Sequence, residues 1–95
     1  MKTPEKIKVL LTDDHKLIRE GIQSMLEGTN DIEVVGSVSS GEEAINEVRN
    51  NRPDVILMDI LMGGMTGIEA TRWIKENDPT IKIVVVTMEI SKEYV

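Results

Sequence analysis

Four polar residues stand where apolar segments of the chain end. Asp13 and Asp14 follow the stretch closed by Thr12, Asp59 ends a second apolar stretch, and Thr87 ends a third. Two adjacent carboxylates repel each other, so the pair either caps a following helix or holds a cation. Three carboxylates without cysteine or clustered histidine favour a hard cation such as Mg²⁺, which keeps room in its shell for a phosphoryl group.

Each of these residues also has a simpler explanation when it is taken alone. The Asp13-Asp14 pair suits a helix cap, Asp59 suits a turn, and Thr87 is a common strand residue. His15 fits the solvated first turn of a helix. The prediction of a site therefore depends on the coincidence of these residue types at three strand ends, and that coincidence is far more specific than any one member.

The segments that must position these residues alternate between strand and helix patterns. Strands are predicted at 7–12, 33–38, 54–59 and 81–87. The last two contain continuous apolar runs, which are typical of parallel strands buried on both faces. Strict alternation with helices predicts a doubly wound α/β sheet, in which all parallel strands end on the same side and the polar residues converge.

Three helices are expected between these strands. They are predicted at 15–27, near 41–50 and from 66 to a stop at Pro79, and a further one begins near 90. The second and third open with the Ser/Thr-x-x-Glu pattern of a capping box. Apolar residues at helical spacing predict the buried faces: Ile18, Ile22, Met25 and Leu26, then Ala44, Ile45 and Val48, then Ile68, Thr71 and Ile74.

The composition argues against several classes of function. The 95 residues fit one domain at 1–95, and the lack of cysteine excludes disulfides and thiolate sites. A net charge of −6 and two aromatic residues argue against direct nucleic-acid binding. The apolar runs are far shorter than the ~20 residues of a membrane helix. With no signal-peptide pattern at the N-terminus, we expect a cytoplasmic protein without membrane contact.

The chain resembles the receiver domain of two-component response regulators in four segments, VLLTDDHKLIREGI, EVVGSVSSGEEAI, PDVILMDILMGGMTGIEA and IKIVVVTM. The first two are most similar to the NarL/FixJ (LuxR-type) branch. The resemblance covers the whole chain. It implies a flavodoxin-like (CheY-like) sheet in the order 2-1-3-4, and a phosphorelay switch for a DNA-binding output domain that this chain does not contain.

The resemblance also implies roles for individual residues. Asp59 is expected to accept a phosphoryl group from a sensor histidine kinase, and the Thr87 hydroxyl and Met88 backbone N–H to contact that group. Asp14 is expected to bind Mg²⁺ directly and Asp13 to bind it through water. Asp59 and the backbone carbonyl of Leu61 are the further expected ligands. Any enzymatic activity would be limited to self-phosphorylation and self-dephosphorylation.

The chain departs from the family pattern in two places. The loop after the acceptor reads Met62-Gly63-Gly64 where the family usually has Met-Pro, and no lysine-proline pair occurs. The family's catalytic lysine, fifth strand and fifth helix thus have no counterpart, and we expect a receiver domain incomplete at its C-terminus. The alternative is a non-catalytic interaction or dimerisation fragment that keeps the fold.

A missing fifth strand has a consequence for the fourth. The run 83–86 is β-branched, uncharged and free of proline, which is the profile of an aggregation-prone edge strand. We therefore expect the chain to self-associate, either by pairing of this edge or by exchange of an element between two copies.

Overall fold

Strands and helices alternate strictly in the computed structural model, which describes residues 5–60, 62 and 66–86. The elements are β1 (Ile7–Thr12), α1 (Lys16–Glu27), β2 (Ile32–Val38), α2 (Gly41–Asn50), β3 (Val55–Asp59), α3 (Gly67–Asn77) and β4 (Lys82–Val86). The strands form one parallel sheet in the order β2-β1-β3-β4. The predicted doubly wound fold and strand order are confirmed, and the described residues contain no fifth strand.

Hydrogen bonds from capping side chains explain where α2 and α3 begin. Thr66 and Glu69 form the complete capping box predicted for α3, with the Glu69 N–H donating to Thr66 Oγ1 at 3.1 Å. In α2 the Glu43 N–H donates to Ser40 Oγ at 3.1 Å, but the Glu43 carboxylate accepts from the Ser39 hydroxyl at 2.7 Å, so half of the predicted box is present. None of the described helices has the length and apolar character needed to span a membrane.

The main core lies between the sheet and the pair of helices α2 and α3. Alternate residues of the strands point into it because successive strand side chains face opposite sides of a sheet. Its fully buried members include Leu10, Ile56 and Met58 from the strands and Ala44, Ala70 and Ile74 from the helices. Helix α1 packs against β1 and β2 without burying any residue completely.

Two residues of the predicted helix faces are exposed. Met25 in α1 is 69% exposed and Ile68 in α3 is 56% exposed. Helix α3 buries the predicted Ile74, but together with Gly67 and Ala70 in place of Ile68 and Thr71. The error has a simple cause, since neighbouring helical residues are only about 100° apart and small residues give a weak apolar signal.

Strand β4 is less buried than its apolar run suggested. Val84 and Val85 are each about half exposed, at 49% and 50%. As consecutive strand residues they face opposite sides of the sheet, Val84 beside Leu57 and Val85 beside Met58. The prediction of burial on both faces holds in part for β3, where Ile56 and Met58 are buried and Leu57 on the other face is half-buried. It is wrong for β4, which is an edge strand among the described residues.

An ion pair lies near the amino ends of β3 and β4, between Arg52 before β3 and Asp78 after α3. Arg52 donates to both carboxylate oxygens of Asp78, and to the Thr80 hydroxyl. The hydrogen bonds from Arg52 and, second, from the Thr80 hydroxyl at 2.7 Å hold the pKa of the Asp78 carboxyl well below its usual range. The hydrogen bond to Asp78 and the charge of Asp78 raise the pKa of Arg52.

Candidate metal centre

The register of the central strands brings two acidic residues side by side. Thr12 of β1 pairs with Met58 of β3, so Asp13 and Asp59 follow at the same level on neighbouring strands. The Asp13 N–H donates to the Val38 carbonyl of β2 at 3.1 Å, which continues the sheet bonding past the end of β1. Both carboxylates are thus placed by backbone pairing.

The carboxylate oxygens of Asp13, Asp14 and Asp59 and a ring nitrogen of His15 all lie within 4.8 Å of one another. Asp13 and Asp59 are only 5% and 3% exposed, whereas Asp14 and His15 are exposed. The three carboxylates meet as the strand ends predicted. Burying two carboxylates beside a third is costly unless positive charge compensates them.

The donor set fits Mg²⁺. Three carboxylates offer hard oxygen ligands from two strand ends, and the partly exposed Asp14 leaves the cluster open on one side. A small hard cation takes one or a few carboxylates and completes its shell with water or substrate oxygens. The nitrogen of His15 is a ligand that such a cation does not prefer.

His15 is the N-cap of α1 and is bonded to the acidic pair. Its Nδ1 lies 2.8 Å from Asp13 Oδ1 and 3.0 Å from Asp14 Oδ1, and its backbone N–H donates to Asp13 Oδ1 at 2.8 Å. The hydrogen bond to Asp13 and the charge of Asp14 raise the pKa of His15. Neither aspartate caps α1, so the capping explanation of the Asp13-Asp14 pair does not hold.

Sequence reasoning missed Arg19. This α1 side chain donates from Nη1 to the Asp13 carbonyl at 2.5 Å and from Nε to the Ser37 hydroxyl of β2 at 2.9 Å. The three residues are brought together by the position of α1 on the sheet. The sequence carries no signal for that position at the level of single contacts.

Gly67, the first residue of α3, sets how closely this helix approaches the site. A Cβ at this position would lie 2.2 Å from the Asp59 carbonyl oxygen and 2.6 Å from Ile60 Cα. Only a residue without a side chain allows this approach. The start of α3 is therefore packed directly on the backbone of Asp59.

Three residues of the predicted site, Leu61, Thr87 and Met88, lie outside the described residues. Their expected contacts with a cation or a phosphoryl group stay predictions. Within the described part of the chain, the site consists of the acidic cluster at the ends of β1 and β3 with His15 and Arg19 bonded to it.

Comparison with known proteins gives a consistent result. Residues 9–95 match the family described as response regulator receiver domain. The chain is 49% identical over 89 residues to response regulator protein VraR of Staphylococcus aureus, covering 94% of this chain and 43% of that protein. VraR of Staphylococcus saprophyticus is 49% identical over 84 residues, covering 88% and 40%. The chain thus spans less than half the length of these relatives.

Solved structures agree. The signal receiver domain of response regulator NarL from Mycobacterium tuberculosis superposes with a TM-score of 0.85 at 29% identity, covering 97% of this chain and 74% of that one. A LuxR-family two-component response regulator from Aurantimonas sp. SI85-9A1 gives 0.84 at 32% identity, covering 95% and 64%. The resemblance to NarL/LuxR-type receiver domains is confirmed.

Proposed function

Because this chain belongs to the response regulator receiver domain family, we propose that it accepts a phosphoryl group on Asp59 from a sensor histidine kinase. The observation that supports this most is the meeting of Asp13, Asp14 and Asp59 within 4.8 Å at the carboxyl ends of β1 and β3. Ligands of doubly wound sheets bind beyond these ends. We infer that residues 1–95 act as one such domain, in the cytoplasm.

The proposed transfer is a displacement at phosphorus. A carboxylate oxygen of Asp59 forms the new O–P bond while the N–P bond to the kinase histidine breaks, and the electron pair stays on the imidazole nitrogen, which takes a proton from water. Asp13 and Asp14 would hold Mg²⁺ together with Asp59. When bound, Mg²⁺ neutralises charge on the phosphoryl oxygens.

The burial of Asp59 suits this role. Only 3% of its surface is exposed, and the backbone pairing of β3 fixes the point from which its side chain extends, so the residue is already in place before any phosphodonor arrives. The product is an acyl phosphate, which is labile enough for a reversible switch. Contacts of the phosphoryl group with the Thr87 hydroxyl and the Met88 N–H would then bias the end of β4 between two arrangements.

The readout that we propose lies in a longer protein. The VraR relatives are more than twice the length matched by this chain, which leaves room for a transcriptional output domain that binds DNA. The receiver domain itself would carry the signal and make no nucleic-acid contact. Its negative charge of −6 supports this division, because DNA binding needs clustered cations.

We also propose that the chain self-associates through β4. The half-exposed Val84 and Val85, without a charged residue between Ile83 and Val86, support pairing of this edge with a second copy. Sedimentation equilibrium of the chain tests this, with Val84→Lys placing a gatekeeper charge on the strand. A folded monomer at high micromolar concentration would contradict the proposal.

Labelling with acetyl phosphate and Mg²⁺ tests the phosphoacceptor. Because the sequence has no lysine-proline pair, we expect weak labelling. Intact mass spectrometry should show the gain of one phosphoryl group in a small fraction of the chain and of Asp31→Asn, a control at an exposed aspartate of the opposite end of the sheet, but not in Asp59→Asn. Label that survives in Asp59→Asn would refute the acceptor. A folded wild-type chain that takes no label would favour the alternative, a non-catalytic interaction fragment.

A further inference from the structure

Arg19 ties the two adjacent aspartates of the site to a neighbouring strand, and we propose that it is a positioning residue for the cation site. The inference rests on the proposed function, since it concerns the geometry of the same acidic cluster. It assigns no contact with the cation or the phosphoryl group to Arg19. The residue acts through the backbone of Asp13.

The contacts of Arg19 fix one peptide group. The Asp13 carbonyl that accepts from Nη1 at 2.5 Å belongs to the peptide bond between Asp13 and Asp14. The orientation of this peptide plane sets where both carboxylates start. A bond to this carbonyl therefore restrains the two side chains together, whereas a bond to either carboxylate would restrain only one.

The anchor at the other end is on β2. Arg19 Nε donates to the Ser37 hydroxyl at 2.9 Å, and the next residue, Val38, accepts the Asp13 N–H through its carbonyl at 3.1 Å. Asp13 is thus tied to β2 at both of its backbone polar groups, directly through its N–H and through Arg19 at its carbonyl. Arg19 thus adds a second hydrogen-bonded link between the end of β1 and β2, beside the backbone bond from Asp13 to Val38.

Because Arg19 is positively charged, the direction in which Mg²⁺ affinity changes on its replacement tests the inference. The described residues include no ion pair to Arg19, although the half-buried guanidinium lines the same narrow cavity as Asp13 and Asp59. As a charge alone it repels Mg²⁺, so its removal would tighten binding. As a positioning residue it favours Mg²⁺ binding, so its removal would weaken binding. The two effects have opposite directions.

Mg²⁺ titration of four variants, followed by backbone amide shifts, separates these possibilities. Arg19→Gln removes the charge and the guanidinium group. Arg19→Lys keeps the charge but cannot reach both the Asp13 carbonyl oxygen and the Ser37 hydroxyl. Ser37→Ala removes only the hydrogen bond to β2. Lys16→Gln is the matched control, because it removes one positive charge from the same helix at a residue whose ion pair is with Glu20.

We expect both Arg19 variants to weaken Mg²⁺ binding roughly tenfold, at the low end of the range for groups that orient metal ligands, and Ser37→Ala to weaken it less. Lys16→Gln should leave the affinity unchanged or slightly higher. Unchanged or tighter binding in Arg19→Gln would overturn the proposal. So would variants that lose stability in urea yet bind Mg²⁺ like the wild type, since that result means a purely structural role.

A second readout needs no metal. The His15 N–H donates to Asp13 Oδ1 at 2.8 Å, so its hydrogen exchange reports on the geometry of this turn. Exchange at His15 should be several-fold faster in Arg19→Gln than in Lys16→Gln. Equal exchange in the two would contradict the positioning role. If the wild type bound no Mg²⁺, the proposed function would fail and this measurement would still decide the role of Arg19.

Discussion

Replacement of Gly67 by alanine should destabilise the protein, because α3 begins in direct contact with the backbone of Asp59. The added Cβ would stand 2.2 Å from the Asp59 carbonyl oxygen, 2.6 Å from Ile60 Cα and 2.9 Å from the Asp59 carbonyl carbon. These distances lie well inside the ~3.5 Å at which carbon atoms normally touch. All three neighbours are backbone atoms, so no flexible side chain can move aside.

Two effects of opposite sign decide the magnitude. Alanine restricts the unfolded chain more than glycine does, which stabilises a protein by ~0.4–1 kcal/mol where the site has room. Overpacking a buried site costs about 1–3 kcal/mol. At Gly67 the steric effect should dominate, and we expect a net loss of about 2 kcal/mol in the free energy of unfolding. Because two of the three displaced atoms belong to Asp59, Mg²⁺ binding should weaken as well.

Urea unfolding monitored by circular dichroism measures the change. The matched control is Gly21→Ala in α1, where an added Cβ would meet nothing within 4 Å and should stabilise the protein by ~0.5–1 kcal/mol. The two glycine-to-alanine changes should therefore shift stability in opposite directions. A Gly67→Ala protein as stable as the wild type would refute the close packing of α3 on the site.

Three further changes have defined outcomes in urea unfolding. Asp78→Asn should destabilise the protein more at pH 7 than at pH 3. The Arg52 guanidinium holds the pKa of Asp78 below its usual range, so the stability that this carboxylate contributes is lost progressively as pH falls below about 4. An equal loss at both pH values would contradict this. Thr66→Ala should cost about 1 kcal/mol by removing the cap of α3, and an unchanged midpoint would count against the capping box. Met58→Ala should cost ~2–5 kcal/mol because Met58 is fully buried, whereas Met25→Ala at an exposed position should stay within ~0.5 kcal/mol, and similar losses would contradict the core assignment.

The strand order and the acidic cluster were predictable from the sequence for a physical reason. Strict alternation of strands and helices leaves few topologies, and parallel strands place their carboxyl ends on one side. The residue type at each strand end then suffices to bring Asp13 and Asp59 together, without knowledge of any side-chain contact. The prediction that these carboxylates converge depended only on the pairing of the parallel strands.

Contacts that depend on how elements pack were not predictable in the same way. The bond from Arg19 to Ser37 requires the placement of α1 over β2, which apolar spacing does not determine. Helical spacing alone also predicted that Ile68 would be buried, whereas Ala70 is buried and Ile68 is exposed. The apolar run of β4 indicated burial at Val85, but such a run reports only the capacity to be buried, and burial also requires a covering neighbour.

Convergence of the three aspartates on one cation is tested most directly by Mg²⁺ titration of Asp13→Asn, Asp14→Asn and Asp59→Asn beside Asp31→Asn. Each of the first three should weaken Mg²⁺ binding by at least roughly tenfold, because each removes a carboxylate whose oxygen lies within 4.8 Å of the others. Asp31→Asn, which removes the same charge at the far end of the sheet, should bind like the wild type. Unchanged binding in Asp59→Asn would show that the ends of β1 and β3 do not form one site.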